Sequence, residues 1–258
     1  MKEIRGKLCI VTGAAKSIGF GIAERFSELG AKVILLDIDP LVIESAKKIA
    51  DKGRDAEGYV LDISNQESVF VRFKEINDRL GSAYCLVNVA GIVSQKKIEE
   101  VTTNDWEKMM AVNVYGSFYC IQAVLAGMKE QKDGKIINFA SKSGKTGSAL
   151  MVPYSSAKGA IITMTQAIAY EVADYNIKVN AICPGIVDET GVWDSVSEGY
   201  IKNLKMDKDK VVTKFASKIP LGRLARIEDI VDYCEFLARS GEYCTGQALN
   251  ISGGREMH

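Results

Sequence analysis

The stretch Leu8-Cys9-Ile10-Val11-Thr12-Gly13-Ala14-Ala15-Lys16-Ser17-Ile18-Gly19 decides how this chain folds. Its apolar opening has no polar alternation, so it reads as a strand near 8–12 covered on both faces. A glycine-bearing turn follows, and a helical pattern runs from 17 through Leu29. A buried strand, a glycine turn and a helix start present free backbone N–H groups to a pyrophosphate. Gly13 permits the tight turn and Gly19 the close backbone approach, while Ser17 stands where a middle glycine would be expected.

Working outward, Val33-Ile34-Leu35-Leu36 is a second apolar run ending in Asp37, a carboxylate about 20 residues beyond the turn, as needed to accept from a ribose hydroxyl. Short apolar runs then alternate with longer amphipathic ones. Strands are expected near 32–37, 58–61, 84–88, 135–139, 177–182 and 247–251, and helices near 41–52, 65–80, 105–131, 153–175 and 226–239. Alternating units of this kind imply an α/β fold, a parallel sheet with helices on both faces. There is no internal repeat, low-complexity run or linker, so residues 1–258 read as a single domain. Parallel strands bring Gly13, Asp37, Asp62, Asn88, Ser141 and Pro184 to one crevice at their carboxyl ends.

Tyr154-Ser155-Ser156-Ala157-Lys158 supplies chemistry for that crevice. On a helix, positions four apart have Cβ atoms about 5–6 Å apart. An ammonium so placed favours tyrosinate, lowering a phenol whose ordinary pKa is about 10 toward neutrality, the property of a general acid and base. Taken alone, Tyr-x-x-x-Lys is common by chance.

With Thr12-Gly13 and Gly19, Asp62, Asn88-Val89-Ala90-Gly91, Asn113, Ser141, Tyr154 with Lys158, and Pro184-Gly185 in this order, the chain resembles the short-chain dehydrogenase/reductases over essentially its whole length. The serine stands thirteen positions before the tyrosine, as in that family. The resemblance implies a Rossmann-type doubly wound sheet of about seven strands and reversible hydride transfer between a secondary alcohol and its ketone. It implies that Tyr154 moves the proton, that Lys158 lowers the tyrosine pKa and holds the nicotinamide ribose, and that Ser141 bonds the substrate oxygen. Asn113 would sit in a helix disturbance and hold a water linking Lys158 to solvent. The implied cofactor contacts are Gly13, Lys16, Ser17, Ile18, Gly19, Asp37, Asp62, Ile63, Asn88, Ala90, Gly91, Tyr154, Lys158, Pro184, Gly185, Val187 and Thr190. Asp37 would repel a 2′-phosphate and favours NAD, whereas Lys16 stands where NADP-using relatives often carry a basic residue; NAD is the expected cofactor.

Within the family the chain is most similar to bacterial sugar-alcohol dehydrogenases of the sorbitol-6-phosphate 2-dehydrogenase type. Acetoin and butanediol dehydrogenases or another carbonyl reductase are the alternative, and a dinucleotide sensor without catalysis a remote one. Residues 188–217 read as a lid over the substrate, with Trp193 on it; Lys142 and Lys145 would meet a substrate phosphate. In relatives a threonine commonly follows the valine by two places, whereas here Glu189 intervenes before Thr190. The apolar continuation of the Tyr154 helix, together with the family's habit, implies a homotetramer.

Composition adds limits. A zero formal net charge gives no sequence-wide attraction to nucleic acid or anionic membrane. No apolar run approaches the roughly 20 residues of a membrane span, and the N-terminus lacks a signal-peptide pattern. Six scattered cysteines read as buried hydrophobes in a reducing, cytoplasmic setting. With His258 as the single histidine, no metal site is expected.

Overall fold

The computed structural model of the chain describes residues 3–188, 190–191 and 208–257. Its centre is a seven-stranded sheet, β1 (Leu8–Thr12), β2 (Lys32–Asp37), β3 (Ala56–Val60), β4 (Cys85–Asn88), β5 (Gly134–Phe139), β6 (Ile177–Pro184) and β7 (Ala248–Ile251). The strands are all parallel, in the order β3-β2-β1-β4-β5-β6-β7. The order reverses between β1 and β4, the point where such sheets open a crevice for ligands.

The uninterrupted apolar strands make sense because both faces are covered. Cys9, Val11, Val33, Leu35, Cys85 and Val87 point to one layer, built from α1 (Ser17–Glu28), α2 (Leu41–Ala50) and α9 (Ile227–Arg239). Leu8, Ile10, Ile34, Leu36 and Leu86 point to the other, built from α3 (Gln66–Leu80), α5 (Gly116–Gln131) and α7 (Val152–Val172). Successive strand residues alternate between the layers, so a one-residue slip would exchange the two cores.

The expected elements are present with small shifts: β3 begins and ends earlier than 58–61, and the expected helix 105–131 begins at Thr103. That helix is α4 (Thr103–Met110), a π-helical turn at Ala111–Tyr115, and α5 in one run. The Thr102–Asp105 capping box sets its start. Contrary to the composition-based expectation, this run is long and apolar enough to cross a bilayer, with a mean hydropathy of 1.4 over its best window. Cys120, Ile121, Val124 and Met128 of this run are buried against the sheet, while Trp106, Tyr115 and Phe118 stand exposed. Two short helices escape the periodicity reading, α6 (Lys142–Thr146) and α8 (Lys208–Ala216). Most of the expected lid, Trp193 included, lies outside the described residues.

Candidate active site

The carboxyl ends of the strands open into a cavity of about 820 Å³. Its first wall is the turn between β1 and α1. Gly13 has φ 66°, and a Cβ there would stand 2.7 Å from the backbone of Ala90, so only glycine fits between the ends of β1 and β4. A Cβ on Gly19 would stand 2.1 Å from the Gly13 carbonyl oxygen, which fixes how closely α1 approaches the turn. No side chain caps α1, and the Ser17 hydroxyl is buried without a hydrogen-bond partner. Open first-turn N–H groups and an unused hydroxyl are what a pyrophosphate needs.

Asp37, at the end of β2, is held by the N–H of Ala15 on Oδ2 (2.9 Å) and of Asp39 on Oδ1 (3.0 Å). Two of about four acceptor positions are thus used, leaving room to accept from ribose hydroxyls. Lys16 forms a 3.8 Å ion pair with Asp39 and is largely exposed. Asp62 accepts from the N–H and hydroxyl of Ser64 (2.9 and 2.7 Å), which fixes the turn carrying buried Ile63. Ile38, which the sequence reading did not single out, is 66 % exposed beside Asp37 on the cavity wall. An exposed isoleucine there, with Ile63 also on the lining, provides apolar surface for a flat ring.

The proton-handling groups lie deeper. Ser141 caps α6, its Oγ accepting from the Ser143 N–H at 3.1 Å. The hydroxyl proton therefore remains free, and the Ser141 hydroxyl is near enough to the Tyr154 phenol to favour its ionised form. Lys158 donates to the Phe139 carbonyl at 2.7 Å, and its Nζ lies 5.8 Å from the centre of the Tyr154 ring. The pKa directions correct the sequence-based expectation. Burial raises the Tyr154 phenol above its ordinary value, the Ser141 hydroxyl opposing it, and burial pushes Lys158 down to about 8. Desolvation thus outweighs the Ser141 hydroxyl, and the phenol is held in its protonated, donating form.

Asn113 lies in the π-helical turn, where the Gly116 N–H bonds the Ala111 carbonyl five residues back. Its Nδ2 donates to the carbonyls of Ile92 (3.0 Å) and Met109 (3.1 Å), while its buried Oδ1 accepts from no protein group. An orphaned acceptor beside Lys158 suits a bound water.

Ala90, Gly91, Pro184, Gly185, Val187 and Thr190 also line the cavity. Val187 is fixed by a parallel bridge to Ala225, and Thr190 turns back to donate to the Val187 carbonyl at 2.9 Å. Two expected contacts are placed elsewhere. Asn88 is buried and donates to Asn138 Oδ1 at 3.0 Å, tying β4 to β5 rather than facing the cavity. Lys145 donates to the Ala248 carbonyl at 2.7 Å, so it ties α6 to β7 and is not among the residues that line the cavity. Lys142 does line the cavity, as does Phe215 from the expected lid, and so does Arg255, which no local motif marked.

An enzyme family accounts for this arrangement. The model of the family described as enoyl-(acyl carrier protein) reductase matches residues 13–256. The sorbitol dehydrogenase of Cereibacter sphaeroides is 34% identical, with 99% of each chain covered. The galactitol 2-dehydrogenase of Agrobacterium fabrum is also 34% identical, again with 99% of each covered. A crystal structure of NAD+-bound xylitol dehydrogenase superposes with a TM-score of 0.92 at 31% identity, covering 98% of this chain and 100% of that one. The family match over residues 13–256, the full-length relatives, and Ser141, Tyr154 and Lys158 lining one cavity make this chain a member of the short-chain dehydrogenase/reductase family of oxidoreductases.

Proposed function

We propose that the protein interconverts a polyol and its ketose with NAD as the hydride carrier. One observation carries the reading: Ser141, Tyr154 and Lys158 share a cavity with the uncapped α1 N-terminus and the Asp37 carboxylate. The nicotinamide supplies the hydride, and the protein handles one proton. The Tyr154 phenol donates that proton to the ketone oxygen during reduction and accepts it back during oxidation. Ser141, whose proton is free, donates to the same oxygen as charge develops on it. Lys158, held by Phe139, places positive charge beside the phenolate that reduction leaves behind. Asn113 Oδ1 holds a water through which the proton is replaced.

Asp37 supports NAD over NADP, because a carboxylate against a 2′-phosphate costs several kcal/mol at an effective dielectric of about 20. The sorbitol, galactitol and xylitol dehydrogenases among the relatives support a polyol. Screening NAD+ reduction over polyols, polyol phosphates and vicinal diols tests both points. Turnover confined to vicinal diols, or a clear NADP+ advantage, would overturn them. NADH binding without turnover of any alcohol would instead favour the sensor reading.

We further propose a homotetramer in a reducing, cytoplasmic setting. Trp106, Tyr115, Phe118 and Tyr170 stand exposed on α4, the π turn, α5 and α7, more aromatic surface than a solvated face needs. The six cysteines are free and five are buried. Light scattering showing a monomer at micromolar concentration would contradict the tetramer.

A further inference from the structure

Part of the cavity lining carries more positive charge than a neutral alcohol requires. Lys142 on α6 and Arg255 in the C-terminal turn both line it. Lys142 Nζ donates to Ser148 Oγ at 3.0 Å, and its side chain is 17% exposed. Burial first, and the nearby guanidinium second, hold that ammonium below its ordinary range. Arg255 Nη1 is buried and donates to no group among the described residues. The guanidinium carbon lies 5.8 Å from the centre of the Phe215 ring on α8. The turn that delivers it is firmly tied. The Glu256 N–H donates to Ser252 Oγ (3.1 Å), and Asn250 Nδ2 (3.1 Å) and Ser252 Oγ (3.2 Å) reach the Glu256 carbonyl.

Among the described residues, the carboxylate that faces this pair is Glu256. Its Oε1 lies 3.4 Å from Arg255 Nε and 3.9 Å from Lys142 Nζ, both longer than the roughly 2.7–2.9 Å of a charge-assisted bond. One carboxylate thus stands between two cations and is closely bonded to neither. Lys108 adds a third, exposed cation on the wall. Two half-buried cations side by side are costly unless an anion bridges them, and a guanidinium with an unused N–H is shaped for a bidentate oxyanion.

We infer that Lys142 and Arg255 form a subsite for an anionic group, phosphate or carboxylate, on the part of the substrate remote from the reacting carbon. The inference rests on the proposed alcohol–ketone chemistry only for the position of that carbon. Glu256 is the internal counter-ion that the substrate anion displaces. The C-terminal turn therefore sets specificity, choosing an anionic polyol or hydroxy acid over its neutral counterpart.

Calorimetric titration of the NAD+-loaded protein with inorganic phosphate tests the subsite without any choice of alcohol. Binding should weaken about tenfold or more in Arg255→Met, recover in part in Arg255→Lys, and tighten severalfold in Glu256→Gln, where repulsion is removed. The Glu256 variant guards against a misfolded Arg255 variant, because its expected change has the opposite sign. Absence of phosphate binding, or binding indifferent to both positions, overturns the inference. Turnover then separates the sources of charge. Sorbitol 6-phosphate or gluconate should exceed sorbitol in kcat/KM by about 10- to 100-fold, and that ratio should collapse in Arg255→Met. Equal rates on sorbitol and both anions overturn the inference while leaving the polyol reading standing. If only simple diols turn over, the polyol reading fails and the phosphate titration still decides the subsite.

Discussion

The two ends of the cavity are built by different means. At the end walled by residues 13–19, 37 and 62, the backbone makes the site: Gly19 sits where a Cβ would lie 2.1 Å from the Gly13 carbonyl, and Asp37 is pinned by two N–H groups. At the other end side chains make it, and Lys142 with Ser148, Phe215 and Arg255 come from three separate stretches of chain. The first end tolerates little variation at Gly13 and Gly19, where an added Cβ would strike backbone. The second varies at little cost to the fold, since its charged groups hold no strand or helix in place. Members of one family can thus share a hydride carrier and differ in substrate.

The comparison breaks most sharply where the two ends meet. Tyr154→Phe should lower turnover by about 10³-fold and leave thermal unfolding within a few degrees, because the phenol oxygen moves the proton and the ring keeps its packing. Near-normal turnover in initial-rate assays would remove Tyr154 from the chemistry.

Gly19→Ala tests whether the cofactor end is as rigid as described. The added Cβ forces α1 away from the turn, so denaturant unfolding should show a loss of about 2 kcal/mol and NADH titration a clear loss of affinity. An unchanged protein would mean that the turn yields.

Asp37→Asn keeps an acceptor for the Ala15 N–H but removes the negative charge, so the ratio of kcat/KM for NAD+ to that for NADP+ should fall about tenfold or more. A ratio that does not move would place cofactor choice elsewhere.

A smaller effect reads the buried ammonium between the two ends. Lys158 has its pKa lowered to about 8 in the folded protein from an ordinary 10.5. Between those values the unfolded chain keeps a proton that the folded chain has released, so this group makes stability rise with pH. Relative to Lys158→Met, the native protein should gain roughly 1 kcal/mol per pH unit between pH 8 and 10 in urea unfolding. A flat difference would mean that burial does not depress the lysine.

The smallest effect belongs to Lys145. Because its ammonium is spent on the Ala248 carbonyl, Lys145→Ala should change kcat/KM less than about threefold, and equally for sorbitol and sorbitol 6-phosphate. A selective loss on the phosphate would return it to the substrate site.

Much of this was legible in the sequence, and particular residues show where legibility stops. The β1 run and its glycine turn could be read because a parallel strand buried on both faces has no polar alternation. Asp37 could be read because the length of one βα unit places the end of β2 beside the turn. The short helix α6 could not be read, since five residues carry too little periodicity, and with it went the direction of Lys145. The phenol pKa could not be read either: spacing gives the distance to an ammonium, whereas the degree of burial decides which effect prevails.

By itself the sequence determined the strand and helix order, the cofactor turn, and the presence of Asn113, Ser141, Tyr154 and Lys158, because each depends on local pattern or on fixed spacing within one or two elements. Only the tertiary structure decided that Asn113 sits in a π-helical turn with its oxygen orphaned, that Lys145 turns away, and that Arg255 returns from the end of the chain to stand beside Lys142. The physical reason is that burial and charge proximity are properties of packed neighbours, and those neighbours come from parts of the chain that no local pattern joins.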